Sequence, residues 1–310
     1  MGKDPDNGPM DRAFLDPSPL PGPDRWAEQD LVGVSWGMDP SLVLRAYANG
    51  MFPMPIDDLM SDVGPGDDGT SDDGVSAGDP LDDGALDESV SDSGTSGEDP
   101  SDVLPPSGWI GWYSPVWRGI LPLDGLRVTR SLRKSAKHFR VTVDRAFDEV
   151  LAGCGRPDRD GGWIDDTIVE VYTRLFRAGR AHSVECWTAD GQLAGGLYGV
   201  AYGGLFAGES MFHDPRIGRD ASKTALMGLV AMLRAAPRPE RRLLDVQWRT
   251  EHLGTLGVIE VHRSEYLRLL RRAIALPQPR WEIPDDWRTS CDGGFPPPTP
   301  PNMTMGPVLG

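Results

Sequence analysis

Residues 195–212, GGLYGVAYGGLFAGESMF, constrain the fold more than any other stretch of this 310-residue chain. Apolar and aromatic side chains alternate with glycines over these eighteen positions. That pattern suits two extended segments folded closely against each other, because a residue without a Cβ lets neighbouring backbones approach. Toward the far end stands one carboxylate, Glu209. Burying it unpaired would cost several kcal/mol, so it must be paired, hydrogen-bonded or used chemically.

The run RLLDVQW at 242–248 is the most informative place to look for its partners. Side chains two apart on a strand share a face, which points Asp245 and Gln247 one way, roughly 6.6 Å apart, and Leu244, Val246 and Trp248 the other. Two polar groups facing inward from a central strand need polar neighbours. Glu209, Asp245 and Gln247 are therefore candidates for a catalytic or binding site, with a structural hydrogen-bond network as the alternative. His182, on the alternating strand 182–188, reads as a satisfied core histidine. The loop GRDASKT at 218–224 puts Lys223 in the first turn of a helix, where free N–H groups can hold a phosphate or carboxylate. Ser222 stands where a phosphate-binding P-loop needs glycine, so ATP chemistry is unsupported.

Charge is unevenly divided. The formal net charge is −16, yet residues 57–107 hold 16 acidic residues and no Lys or Arg, which leaves 31 acidic and 31 basic residues elsewhere. From Val116 to Thr289 the count is 27 basic against 22 acidic, a net of +5 that is compatible with a polyanionic partner. Segment 57–107 is rich in Asp, Gly and Ser and has no aromatic residue. It cannot bury enough surface to offset its chain entropy and is expected to be a disordered acidic insertion, either a solvated linker or a mimic of nucleic-acid charge. Arg127, Arg130, Arg133, Lys134, Lys137 and Arg140 crowd fourteen positions. They form either an exposed helix face or a phosphate-contacting surface.

Helices are expected at Pro40–Ala48, capped by Asp39, and at 144–152, 166–178, 221–235 and 264–275. Strands are expected at 242–248 and 258–261, while 1–30 and 290–310 read as disordered tails. Cys154, Cys186 and Cys291 show no metal or redox spacing, and their odd number suits a reducing compartment. No apolar signal region opens the chain and no run reaches the ~18 apolar residues of a spanning helix, so a cytoplasmic protein is expected.

Read together, GWI (162–164), AHSVECW (181–187), GGLYGVA (195–201), GESMF (208–212), ASKTAL (221–226), LLDVQ (243–247) and HLGTLG (252–257) resemble, in order and spacing, leucyl/phenylalanyl-tRNA-protein transferases. RAYANGMFP (45–53) resembles the same family's N-terminal motif. The resemblance covers roughly 31–275 apart from the insertion. It implies an α/β fold: a GNAT-like acyltransferase C-terminal domain at 116–289 and a small α+β N-terminal domain formed from 31–56 and 108–115. The implied reaction moves Leu or Phe from its tRNA to a protein whose N-terminus is Arg or Lys, marking that protein for degradation. An aminoacyl ester is already activated and an α-amine has a pKa of ~8, so positioning and proton removal suffice, without cofactor, metal or covalent nucleophile.

Carried over by position, Gln247 would contact the acceptor amine, Asp245 would polarise Gln247, and Glu209 would hold the cationic acceptor. Trp163, Tyr172, Leu197 and Phe206 would line the apolar slot for Leu or Phe, with ordinary core packing as the alternative. Arg127, Arg130, Arg133, Lys134, Lys137 and Lys223 would contact tRNA. Met54 stands where that family carries Trp, leaving Met54 itself or a displaced Trp109 or Trp112 to serve near the aminoacyl-adenosine end. A monomer is expected. Two other functions remain open on the sequence: a non-catalytic binder of aminoacyl-tRNA or protein N-termini, and a related transferase that builds cell-wall peptides.

Overall fold

A computed structural model describes residues 20–56, 108–156 and 164–288. The acidic segment 57–107, the tail 290–310 and Trp163 lie outside the described residues.

Two sheets organise the chain. The smaller has the order β1-β3-β2, from β1 (Leu31–Trp36), β2 (Phe52–Pro55) and β3 (Trp109–Tyr113). Helix α1 (Pro40–Ala48) lies between β1 and β2 in the chain. Its first turn is fixed by the Asp39 carboxylate, which accepts from the Ser41 and Leu42 N–H groups, and Pro40 occupies the position where no N–H is needed.

The larger sheet has seven strands in the order β10-β4-β9-β8-β7-β6-β5. They are β4 (Trp117–Ile120), β5 (Arg140–Val143), β6 (Ala181–Trp187), β7 (Leu193–Tyr202), β8 (Leu205–His213), β9 (Leu243–Gln247) and β10 (Ile259–His262). All neighbours are antiparallel except β8 and β9, which run parallel and are joined through α5 (Ala221–Ala235). The α/β class expected from the sequence is thus what the chain adopts.

The glycine-rich stretch becomes the β7–β8 hairpin. At the turn, Gly203 takes φ +60°, a conformation that residues with a Cβ rarely adopt. Within the hairpin, a Cβ on Gly199 would strike the Ala207 carbonyl and the Phe206 ring, so glycine there sets how closely the strands approach.

Both faces of the large sheet are covered. On one face, α1, α3 (Phe147–Cys154), α4 (Asp166–Arg177) and α7 (Arg263–Ile274) share a core with Tyr198, Val200, Leu205 and Ala207. Phe52, Ile110 and Trp112 of the small sheet belong to that same core. On the other face, α2 (Arg130–Ala136) and α5 pack with Val184, Leu197, Phe206 and Leu244. Among the described residues no helix is long and apolar enough to cross a membrane.

Three expectations need correction. The helix expected over 144–152 begins at Phe147, because Asp144 takes φ +56° and its carboxylate binds the Ser183 N–H and His182 Nδ1. The basic run ends in an edge strand, β5, that its composition concealed. Order also starts before Leu31: Arg263 donates to the Ala27 carbonyl, and Asp30 accepts from the Val116 N–H and Trp248 Nε1. His182 is a core residue as read, stacked 3.6 Å from Trp281, but it is only half satisfied: Nδ1 meets Asp144 while the buried Nε2 has no hydrogen-bond partner among the described residues.

Candidate active site

Two strand irregularities build the site. Strands β7 and β8 pair Gly199 with Gly208 but Tyr198 with Ser210, which makes Glu209 the extra residue of a bulge. Strands β4 and β9 pair Ile120 with Asp245 but Gly119 with Gln247, which makes Val246 the extra residue and leaves Gln247 at φ +64°. Bulges bend a strand and re-aim its side chains. The parallel pairing of β8 with β9 stops at Ala207 and Asp245. Just past that point, Gln247 Nε2 donates to Glu209 Oε1 at 3.1 Å.

Glu209 receives its other hydrogen bonds from two helices. Tyr47 of α1 donates to Oε1 at 2.5 Å, and Tyr172 of α4 donates to Oε2 at 3.2 Å. All three partners are neutral. Burial, opposed by the Tyr47 hydroxyl and reinforced by the nearby Asp245 charge, pushes the Glu209 carboxyl up to about 7. The same burial, with the Glu209 charge beside them, holds both tyrosine hydroxyls well above their ordinary range, so they remain donors.

Asp245 is fully buried in a different setting. Arg118 grips it with Nε to Oδ1 at 2.9 Å and Nη2 to Oδ2 at 2.6 Å, the two-pronged geometry that suits a guanidinium and a carboxylate. Tyr266 adds a bond to Oδ2 at 2.8 Å. The Arg118 guanidinium lies 4.5 Å from the Phe52 ring centre and 4.6 Å from that of Tyr266. Burial alone would lower the Arg118 pKa, but the adjoining Asp245 carboxylate raises it overall. Asp245 Oδ1 also accepts the backbone N–H of Gln247 at 2.9 Å. Its contact with Gln247 is therefore through the main chain, where the sequence suggested polarisation of the side chain.

Beside Glu209 and Gln247 lies a cavity of about 430 Å³, lined by Leu197, Phe206, Met211, Leu226, Leu244 and Val258 among others. Phe52, Met54 and Trp248 border it too. Of the slot residues expected from the sequence, Leu197 and Phe206 face this cavity. Tyr172 does not, because it belongs to the core on the other face and reaches the site only through its hydroxyl. Trp109 packs on Trp36 and Trp112 is fully buried, so neither stands in for the expected tryptophan. Trp248, expected on a packed face, is the one that borders the cavity.

The basic candidates gather around α2. Arg127, Arg130, Lys134 and Lys137 are exposed and Arg133 is half-buried. Lys223 comes beside them through Asp220, which pairs with Lys223 Nζ at 3.2 Å and accepts from Ser135 of α2 at 3.0 Å. Sequence reasoning did not pick out Arg118, Tyr47 or Tyr266 as site residues. A tyrosine on the core face of a helix carries a hydroxyl that needs a partner, and that was the available signal. It also passed over GVSWG at 33–37, which has the G-x-S-x-G spacing of a nucleophile elbow. Ser35 lies in β1 and spends its hydroxyl on the Gly37 carbonyl and Trp112 Nε1, so it is structural.

Known proteins align with this chain along most of its length. The family model described as leucyl/phenylalanyl-tRNA protein transferase matches residues 120–271. A leucyl/phenylalanyl-tRNA–protein transferase of Deinococcus radiodurans is 50% identical over 173 residues, 53% of this chain and 79% of that protein. One of Rhizorhabdus wittichii is 41% identical over 246 residues, covering 77% of this chain and 76% of its own. One of Afipia carboxidovorans is 37% identical over 251 residues, covering 80% and 87%. The solved structure of L-PGS from Bacillus licheniformis aligns at 11% identity and a TM-score of 0.27 over 44% of this chain and 49% of that one.

Proposed function

The chain belongs to the leucyl/phenylalanyl-tRNA protein transferase family, and from that premise we propose that it transfers a leucyl or phenylalanyl group from aminoacyl-tRNA to the α-amine of a protein bearing N-terminal Arg or Lys. The observation that carries this reading is the meeting of Glu209 and Gln247, 3.1 Å apart, at the wall of an apolar cavity of about 430 Å³. A cavity of that kind takes an aliphatic or aromatic side chain, and the adjoining polar pair takes the reacting ends.

The amine nitrogen attacks the ester carbonyl carbon, and the carbon–oxygen bond to the ribose breaks. The ammonium gives up its proton and the departing ribose oxygen gains one. Glu209 can accept that first proton because its carboxyl titrates near the α-amine, and proton transfer between groups of similar pKa is efficient. Gln247 orients the amine. Arg118 and Tyr266 fix Asp245, and Asp245 fixes the Gln247 main chain. The exposed basic residues around α2 contact tRNA phosphates.

The protein acts as a monomer in the cytoplasm, where charged tRNA is found. The proposed domains are 31–56 with 108–115, contributing Tyr47, Phe52 and Met54 to the site, and 116–289, contributing the rest. The test is to mix charged Leu-tRNA with an Arg-initiated peptide. Leucylated peptide is expected, and ribonuclease should abolish it. No product, or product that survives ribonuclease, overturns the reading.

A further inference from the structure

A second cavity, of about 550 Å³, shares Leu121 and Leu244 with the first as lining residues. Its remaining walls are chemically different. Arg241 and Arg242 just before β9, Arg234 at the end of α5 and Arg272 of α7 all line it, together with Asp124 and Glu240. Four guanidiniums against two carboxylates leave an excess of two positive charges around one concave space. The transfer proposed above uses none of these residues.

Arg242 is the informative member. It is 7% exposed, and two of its nitrogens are spent on the chain itself: Nε donates to the Pro237 carbonyl and Nη1 to the Pro277 carbonyl, each at 3.2 Å. Its third nitrogen, Nη2, is buried and has no partner among the described residues, and the same holds for Nε of Arg241. A buried guanidinium N–H without an acceptor is costly, so natural structures almost always supply one. The carbonyl bonds hold the Arg242 head in place before any ligand arrives, which lowers the ordering cost of binding.

We propose that this cavity is a phosphate-binding site, taking a phosphomonoester or phosphodiester anion of nucleotide size. Guanidiniums match phosphate oxygens in paired, planar geometry, and several of them can share an anion's charge in a way that one carboxylate-sized ligand would not require. The volume exceeds that of a lone phosphate, so the ligand carries a sugar or base as well. Two sources present this chemistry, a free nucleotide and the backbone of RNA.

The test is calorimetric titration of the full-length protein at fixed ionic strength, with adenosine 5′-monophosphate in one arm and a short single-stranded RNA lacking an aminoacyl group in the other. Saturable binding is expected in at least one arm. The Arg241→Gln/Arg272→Gln protein should lose affinity on the order of tenfold or more. Arg272 is exposed and Arg241 half-buried, so thermal unfolding should show that the double variant folds normally, and Leu transfer to peptide at saturating charged tRNA should persist. Arg242→Gln should weaken binding further, or destabilise the chain unless ligand is present. Binding of nucleotide assigns the site to small molecules, and binding of RNA alone assigns it to the polynucleotide backbone. No saturable binding in either arm, or equal binding by wild type and the double variant, overturns the proposal.

Discussion

Glu209 and Asp245 are two buried carboxylates beside neighbouring bulges, and they are held in opposite ways. Asp245 faces a cation: both of its oxygens are engaged by Arg118, and Tyr266 and a backbone N–H complete the set. Among the described residues Glu209 accepts only from neutral donors, two tyrosine hydroxyls and one amide, and it borders the cavity. The first arrangement ties a carboxylate to a guanidinium and makes geometry. The second leaves a carboxyl that can gain or lose a proton near neutral pH and makes chemistry. One site thus needs both: a locked acid to position β9, and a labile acid to meet the substrate.

Breaking the locked side gives the largest expected effect. Arg118→Met leaves Asp245 charged, buried and without its cation, which should cost about 3–5 kcal/mol of folding stability. Urea unfolding followed by circular dichroism measures this. Adding Asp245→Asn to that variant should recover part of the loss, since the unpaired charge is then gone. If Arg118→Met unfolds like an ordinary surface variant, the ion pair is not what holds Asp245.

The labile side should instead appear in pH dependence. Unfolded, Glu209 loses its proton near its ordinary value of 4.5; folded, it keeps the proton until about pH 7. Between those values the folded chain holds a proton that the unfolded chain has released, so stability contributed by this group is full below pH 4.5 and lost as pH rises through 7. The whole loss amounts to roughly 3 kcal/mol. Glu209→Gln should remove it, so the variant unfolds later than wild type at pH 8. Leu transfer should fall by about 100-fold or more in the same variant, and the acid limb near pH 7 should vanish from its profile. A variant that transfers Leu at the wild-type rate would show that Glu209 serves structure alone.

How much of this was legible depended on how local each signal is. Asp39 and Pro40 announce a helix start because capping acts within a few residues, and Gly203 announces a turn because the constraint is its own dihedral angle. Asp245 and Gln247 stood out because polar side chains alternate on one short strand. Arg118 did not stand out, since its partner is 127 positions away. The resemblance assigns Tyr172 to the apolar slot, and helical periodicity shows that its face is buried but not against which side of a sheet. Here it packs on the side away from the slot. The bulge at Glu209 was equally hidden. It depends on register with β7, and no single strand encodes that.

The comparison can be sharpened by removing one hydroxyl from each carboxylate. Tyr47→Phe takes from Glu209 a bond that lowers its pKa, so the carboxyl should titrate higher and the acid limb of Leu transfer should move upward in pH. Stability should fall by about 1.5–3 kcal/mol at pH 8, where the bond is to a charged acceptor. Tyr266→Phe removes a bond from Asp245, but Arg118 still engages both oxygens. The cost there should be about 1 kcal/mol, and the pH profile of transfer should stay where it is. Two chemically identical deletions would then separate most sharply by their effect on a titration. If Tyr266→Phe moved the profile as far as Tyr47→Phe, the two carboxylates would be titrating as one coupled pair.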